Sequence, residues 1–157
     1  MGKNSQISNI QKEFEKEYSP LFEVLKFFSP GTSIRLALED IKRAEMGALI
    51  VLDKEGLYNL LEGGFRINCK FSSQKLVELA KMDGAIVLSK DMKKILYANT
   101  LLVPSIDIST KETGTRHKAA ERTAKQLGTM VIAVSERKKK ITLFYGDEQY
   151  TLDSPSE

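Results

Sequence analysis

Apolar residues along the chain follow two spacings, one typical of helices and the other typical of strands. Where they recur every three to four residues, they predict helices that bury one face. Side chains that cap helices, and a proline that is tolerated in a first turn, mark where these helices begin. The predicted helices cover Ile7–Phe28 as two short helices divided before Pro20, a segment from Thr32 or Ser33 to about Glu45, a segment from Ser72 or Ser73 to Lys81, and a segment that ends at Gly128.

Apolar runs of strand length occupy much of the remaining chain. The run Gly47–Leu52, GALIVL, has no polar residue, which is typical of a central strand buried on both faces. Ala85–Leu88 and Lys94–Val103 predict a hairpin, and in the loop that follows we expect Ile106 and Ile108 to lean on the core. Further strands are predicted at Leu57–Glu62, Phe65–Asn68, Thr129–Ser135, Ile141–Tyr145 and Gln149–Leu152. Because hairpins mix with helix crossovers, we predict an α/β fold with a central mixed β-sheet flanked by helices on both faces.

Length and composition indicate one globular domain of 157 residues, 41% of them hydrophobic. We divide the chain into an N-terminal helical segment at 1–28, a main domain at 29–152 and a frayed tail at 153–157. The net charge of +3 is too small for the broad basic surface of a dedicated nucleic-acid-binding domain. One cysteine and one histidine exclude an internal disulfide and a structural zinc cluster. Without a signal-peptide core or an apolar run of ~20 residues, we expect a cytoplasmic protein.

The segment Lys111–Gly128 carries the only histidine of the chain on the first turn of a predicted helix. Unpaired backbone N–H groups and the positive end of the helix dipole favour an anion there, and the guanidinium of Arg116 suits phosphate oxygens. Arg116 and His117 are therefore candidates for a phosphate site. The alternative is that His117 belongs to a buried stripe of the helix, with Arg116 and Lys118 solvated beside it.

Two other segments have a chemical and a structural interpretation. Asp83 and Gly84 precede a predicted strand, where a carboxylate could hold a divalent cation and a glycine could let a ligand approach. An Asp-Gly pair is equally typical of a plain turn. After Ser135, the basic segment Glu136–Lys140 could bind phosphate or simply be a solvated turn.

Three motifs together resemble the diadenylate cyclase domain family, in the form found at the N-terminus of the DNA-integrity scanning diadenylate cyclases. They are Asp83-Gly84-Ala85, then Gly114–Lys118 (GTRHK), then Ser135–Lys138 (SERK). The resemblance runs from about Ser29 to Leu152. It includes the stretches SPGT, GALIVL, GGF and YANTLLVP, and it rests on the order and spacing of all of them.

The resemblance implies that two ATP molecules condense into cyclic di-AMP and release two pyrophosphates. Each domain holds one ATP, and two domains face each other in at least a dimer, with a higher oligomer also open. Mg²⁺ or Mn²⁺ would be bound by Asp83, which would also activate the ribose 3′-OH. The other implied nucleotide-binding residues are Gly84, the Leu102 backbone for the adenine edge, Thr115, Arg116, His117 and Lys118 for phosphates, and Ser135, Arg137 and Lys138 for the triphosphate tail.

The sequence departs from the family pattern at three positions. Lys118 stands where the motif has a third-place Arg, Ala119 where a Thr is common, and Lys138 where an Arg binds the phosphate tail. Lysine keeps the charge but loses the bidentate fork. One alternative is therefore a weak or inactive module that binds ATP or cyclic di-AMP. Another, which rests on the basic segment and not on these departures, is a nucleic-acid-binding domain that uses Arg137–Lys140. The DNA-binding helix-hairpin-helix domain of the scanning proteins is missing from this sequence, so we expect no DNA binding by this chain.

Overall fold

A computed structural model describes residues 20–152. Its helices are α1 (Pro20–Leu25), α2 (Ser33–Arg43), α3 (Ser73–Ala80) and α4 (Thr115–Leu127), with 3₁₀ turns at Lys26–Phe28 and Leu57–Leu60. Its strands are β1 (Ala48–Leu52), β2 (Leu61–Glu62), β3 (Phe65–Lys70), β4 (Ala85–Leu88), β5 (Lys94–Leu102), β6 (Met130–Val134), β7 (Ile141–Tyr145) and β8 (Glu148–Leu152). The predicted helix before Pro20 and the predicted tail at 153–157 lie outside the described residues.

The eight strands form one mixed sheet with β1 near its middle. The order is β2-β5-β4-β1-β6-β7-β8, and β3 also pairs with β5. Strands β1 and β4 are parallel, with Leu49 opposite Ala85, and the other pairs are antiparallel. All five residues of β1 are buried, as expected for a strand covered on both faces.

Helices cover both faces of the sheet, which confirms the predicted architecture. On one face, α1, α2 and α3 pack against alternate strand residues such as Ile50 and Ile86. On the other face, Ala120 and Ala124 of α4 pack against the intervening residues, such as Val51. Thr32 and Ser72 cap α2 and α3 by accepting a backbone N–H with the side-chain oxygen. Within residues 20–152, no helix is both long enough and apolar enough to cross a membrane.

Two predictions about local structure are wrong. The predicted strand Leu57–Glu62 is a 3₁₀ turn that ends in a two-residue strand, because the three-residue spacing of Leu57 and Leu60 suits a helical turn that packs both against the core. Ile106 does not lean on the core, since it is 81% exposed. Polar contacts tie this loop to α4 instead: the Ser105 N–H donates to the side chain of Gln126, and Arg122 Nε donates to the Ile108 carbonyl.

Candidate active site

A cavity of about 740 Å³ opens between the N-terminus of α4, the end of β5 and the strands β7 and β8. The turn between β6 and β7 forms its remaining wall and contributes Arg137, Lys138 and Lys140. With Arg116, these residues bring four cationic side chains to the cavity, against the carboxylates of Glu112 and Glu136. The cavity therefore has a positive balance and suits an anionic ligand.

The N-terminus of α4 faces this cavity without a capping side chain. Gly114 is the N-cap residue, in an extended conformation, and no side chain caps the helix. The flanking Thr113 and Thr115 line the cavity. The first turn of a helix leaves backbone N–H groups without partners inside the helix, so this end can bind an anion. At its other end the helix stops at Gly128 in the left-handed conformation, as predicted.

Arg116 lies on the first turn of α4 and extends over the start of β1. Its guanidinium packs against Gly47 so closely that a Cβ at position 47 would overlap it. Within residues 20–152 it takes part in no hydrogen bond or ion pair. Because the Arg116 guanidinium is held in place without a carboxylate partner, it can bind an anion from solution.

His117 is half-buried beside the cavity, with its ring packed edge-on against Phe144 at a centroid distance of 6.3 Å. Burial lowers the pKa of its imidazole, the nearby charge of Glu112 raises it, and the charges of Arg116 and Lys138 lower it further. The net shift is downward, so the ring is neutral at neutral pH. A neutral imidazole offers one donor and one acceptor rather than a fixed positive charge.

Ser135 organises the basic turn that follows β6. Its Oγ accepts the backbone N–H of Lys138 at 3.1 Å, and its own N–H donates to the Lys140 carbonyl at 2.8 Å. Lys139 has a φ of 51° and pairs with Glu45 at 3.0 Å, and it is not among the residues that line the cavity. The turn therefore directs its other cations to the cavity, and Ser135 keeps its hydroxyl proton free to donate.

Leu102 lies at the end of β5, opposite Leu61 of β2. The Val103 N–H donates to the Leu60 carbonyl at 2.7 Å, which makes Leu61 and Leu102 a non-hydrogen-bonded pair. The N–H and C=O of Leu102 therefore point away from β2. On that side β4 begins only at Ala85, opposite Thr100, so the backbone of Leu102 extends past the start of β4 along the edge of the cavity.

Asp83 lies just outside the main cavity, in an adjoining cleft of about 150 Å³ that shares Gly84, Arg116 and Glu136 with it. Its side chain is exposed, and its backbone carbonyl accepts a hydrogen bond from Asn99 Nδ2 at 2.7 Å. The glycine after it has a structural reason: Gly84 has a φ of 97°, and a Cβ there would lie 2.8 Å from the Thr100 carbonyl oxygen.

The Asp83 carboxylate fits a hard divalent cation that also binds phosphate oxygens. Carboxylate oxygen is the donor that Mg²⁺ prefers, and such ions often take only one or two protein carboxylates plus substrate phosphates and water. Within the described residues, no group of three His, Cys, Asp or Glu side chains could hold a metal ion by itself. The other ligands of a metal at Asp83 would be phosphate oxygens and water.

The structure brings most of the predicted site residues together. The cavity is lined by Gly84, Leu102, Thr115, Arg116, His117, Ser135, Arg137 and Lys138, and Asp83 lies in the adjoining cleft. Lys118 lines neither of them. Sequence reasoning missed Gly47, Thr142, Gln149 and Thr151, and it included Lys140 only as the end of the basic segment. The alternation of Thr142 with the buried Ile141 and Leu143 was a usable pattern, since it places a hydroxyl on one face of β7.

Comparison with known proteins places the chain in a family. Residues 35–149 match the model described as DisA bacterial checkpoint controller nucleotide-binding. The DNA integrity scanning protein DisA of Acetivibrio thermocellus is 52% identical over 138 residues, which are 87% of this chain and 38% of that protein. Its counterpart in Clostridium kluyveri is 52% identical over 145 residues, which are 92% of this chain and 40% of that protein. The chain thus spans about two fifths of the length of these relatives.

Two solved structures have the same fold. DacA from Staphylococcus aureus, as the N166C/T172C double mutant, is 28% identical with a TM-score of 0.64, covering 78% of this chain and 85% of that one. A hypothetical membrane spanning protein from Bacillus cereus is 22% identical with a TM-score of 0.70, covering 96% of this chain and 78% of that one. With the matching family model and relatives that are half identical, the chain belongs to the diadenylate cyclase (DAC) domain family, as its three motifs predict.

Proposed function

We propose that the chain binds ATP in this cavity and condenses two ATP molecules into cyclic di-AMP, releasing two pyrophosphates. The observation that carries the proposal is that Arg116 and His117 stand on an uncapped helix N-terminus, which lines the same cavity as the basic turn. This is the arrangement that a triphosphate needs, and it occurs in a member of the diadenylate cyclase domain family.

The residues around the cavity divide between the two ends of ATP. Arg116 and the backbone N–H groups of the α4 first turn bind phosphate oxygens, and Arg137 and Lys138 bind the far end of the triphosphate. The backbone of Leu102, which points away from β2, reads the edge of the adenine. The neutral His117 hydrogen-bonds a phosphate oxygen and adds no charge, so the cations beside it carry the electrostatic attraction.

Asp83 is the residue that would hold Mg²⁺ or Mn²⁺ and accept the proton of the ribose 3′-OH. The bound ion would lower the pKa of that hydroxyl and neutralise charge that develops on the phosphate. Arg116 borders the same cleft as Asp83, so the guanidinium can orient the α-phosphate beside the carboxylate. Phosphoryl transfer depends mostly on such positioning and charge stabilisation.

A single cavity of this size holds one nucleotide, within the range of about 300–1,000 Å³ that is usual for small-ligand sites. Because each ATP must attack the other, two copies of the chain face each other about a two-fold axis. We therefore propose an active species that is at least a dimer and that extends to a higher oligomer if further surfaces associate. We also propose that the chain acts in the cytoplasm, where ATP is available as the substrate.

Incubation with ATP and either Mg²⁺ or Mn²⁺, followed by identification of the product by mass, tests the proposal. Cyclic di-AMP and pyrophosphate in a ratio of one to two support it. Hydrolysis to AMP or ADP, or the absence of any adenylate product with both metals, contradicts it.

A module that binds the nucleotide with little or no turnover is the second candidate. Two of the three departures from the family pattern, Ala119 and Lys138, line the cavity, so a hydroxyl and a guanidinium fork are missing where phosphate would bind. The third, Lys118, lines neither the cavity nor the cleft. Tight ATP binding without product, under the conditions given above, would favour this candidate over the cyclase.

A further inference from the structure

Gly47, the residue before β1, occupies an unusual place among the glycines of residues 20–152. An ideal Cβ at this position would overlap the Arg116 guanidinium, and it would lie 2.6 Å from Arg116 Nη2. At the other described glycines, an added Cβ meets open space, an ordinary contact or backbone atoms, and at Gly64 it also meets the Cβ of Thr100. At Gly47 alone among them, the space of the missing side chain is filled by a charged group.

The backbone does not require glycine at this position. Gly47 has no positive φ, in contrast to Gly31, Gly84 and Gly128. A side chain is therefore compatible with the local conformation, and what it would displace is the far end of a flexible Arg side chain. The glycine is explained by the position of the guanidinium and not by the fold of the strand.

The register of the sheet shows where this contact puts the guanidinium. Strands β1 and β4 are parallel with Leu49 opposite Ala85, so Gly47 is level with Asp83 at the same edge of the sheet. Gly47, Asp83 and Arg116 all border the cleft beside the main cavity. The guanidinium resting on Gly47 is thus held at the level of the candidate metal ligand, and no ion pair joins it to Asp83 within residues 20–152.

We propose that Gly47 is a positioning residue for Arg116: its bare backbone is the surface on which the guanidinium lies, and this contact orients the guanidinium toward a nucleotide phosphate. The inference rests on the proposed function for what Arg116 binds, but the contact itself does not. A long Arg side chain loses rotamer freedom when it binds, and a surface that already confines it reduces that loss. Any side chain at position 47 would move the guanidinium off this surface.

The first test compares Gly47→Ala, Arg116→Ala and the double variant by calorimetric titration with α,β-methylene-ATP, which cannot release pyrophosphate. Loss of a charge-assisted contact predicts that Arg116→Ala raises Kd by about ten- to a hundredfold. Gly47→Ala should raise Kd in the same direction, and the double variant should match Arg116→Ala alone, because a Cβ at position 47 has no guanidinium left to displace. Effects that multiply in the double variant, or an unchanged Kd for Gly47→Ala while Arg116→Ala weakens binding, would overturn the inference.

The control is Gly31→Ala, which adds the same methyl group in open space at a residue that lines neither the cavity nor the cleft. It should bind the analogue as wild type does, and Gly47→Ala should unfold at nearly the wild-type urea concentration. A Gly47→Ala variant that binds weakly only because it is partly unfolded would overturn the positioning role.

A second measurement needs no nucleotide and so separates this inference from the proposed function. The Arg116 Nε–Hε resonance, assigned by its loss in Arg116→Lys, should shift in Gly47→Ala and stay in place in Gly31→Ala. If Arg116→Ala binds the analogue normally, the proposed phosphate contact fails, and a shifted resonance still supports the positioning. An unmoved resonance in folded Gly47→Ala overturns the positioning whatever the binding data show.

Discussion

Replacing Gly84 with alanine should destabilise the protein and disturb Asp83, because two costs combine at this position. The φ of 97° is left-handed, which costs a non-glycine residue about 1–2 kcal/mol. The new Cβ would also lie 2.8 Å from the Thr100 carbonyl oxygen and 3.0 Å from two further backbone atoms of β5. Backbone atoms in a sheet cannot rotate aside, so we add about 1–3 kcal/mol for displacing them. The free energy of unfolding should fall by about 2–5 kcal/mol.

Gly31→Ala separates these two costs. Gly31 has a φ of 95° and nothing within 4 Å of an added Cβ, so this variant carries the backbone cost without the steric one. The entropy that an alanine removes from the unfolded chain is the same in both variants and cancels. The difference between the variants should therefore be about 1–3 kcal/mol, or about 0.5–1.5 M in the urea midpoint for an m value of about 2 kcal/mol/M.

The assay is urea unfolding followed by circular dichroism, with product formation measured on the folded fraction. Asn99 of β5 donates a hydrogen bond to the Asp83 carbonyl, so a shift between Gly84 and β5 also moves Asp83. Activity should therefore fall more in Gly84→Ala than in Gly31→Ala. Equal urea midpoints for the two variants would show that the contact with Thr100 does not constrain the backbone. The glycine of the motif would then have to be explained by ligand approach.

Three further predictions concern individual side chains of the site. Asp83→Asn should lower product formation by at least about 10²-fold with little change in binding of α,β-methylene-ATP, because the amide keeps the shape but loses the charge; full activity would remove Asp83 from the metal site. Burial lowers the pKa of His117 in the folded state, so just below the ordinary pKa of about 6.5 the unfolded state binds more protons than the folded state. The free energy of unfolding should therefore fall as the pH drops from about 6.5 toward the folded pKa, and this pH dependence should vanish in His117→Asn. A pH dependence that persists in the variant would assign it to another group. Lys138→Arg should tighten binding of the analogue a few-fold, because it restores the bidentate guanidinium, whereas Lys118→Arg, outside the cavity, should leave the affinity unchanged. A larger gain from Lys118→Arg than from Lys138→Arg would show that the basic turn does not contact phosphate.

The fold was largely predictable because its core follows the hydrophobic pattern. The unbroken apolar run at β1 is typical of a strand covered on both faces, which is what forms, and the cap residues Thr32 and Ser72 begin their helices where predicted. The strand predicted at Leu57–Glu62 was wrong because a short apolar segment fits a strand or a helical turn equally well. Contacts with α4 and the rest of the core decide between them, and these are long-range.

The residues of the candidate site could be predicted where they belong to a recognisable motif. They could not be predicted where only packing or strand pairing brings them to the cavity. His117 and Lys118 are neighbours in sequence but differ by about 100° around a helix, so only the packing of α4 decides which one meets the cavity. Thr142 and Thr151 reach it because they are opposite each other on β7 and β8, a pairing that a sequence does not display. Gly47 is more remote still, since its role depends on a side chain 69 positions away in the sequence.

The central claim is that two facing copies of this cavity join two ATP molecules, and a dilution series tests it most directly. Specific activity for cyclic di-AMP should be measured at saturating ATP over a wide range of protein concentration, with sedimentation at the same concentrations. Activity per chain should rise with concentration and reach a plateau where dimers dominate, because each site supplies only one of the two bonds. Constant specific activity at concentrations where only monomer sediments would contradict the account.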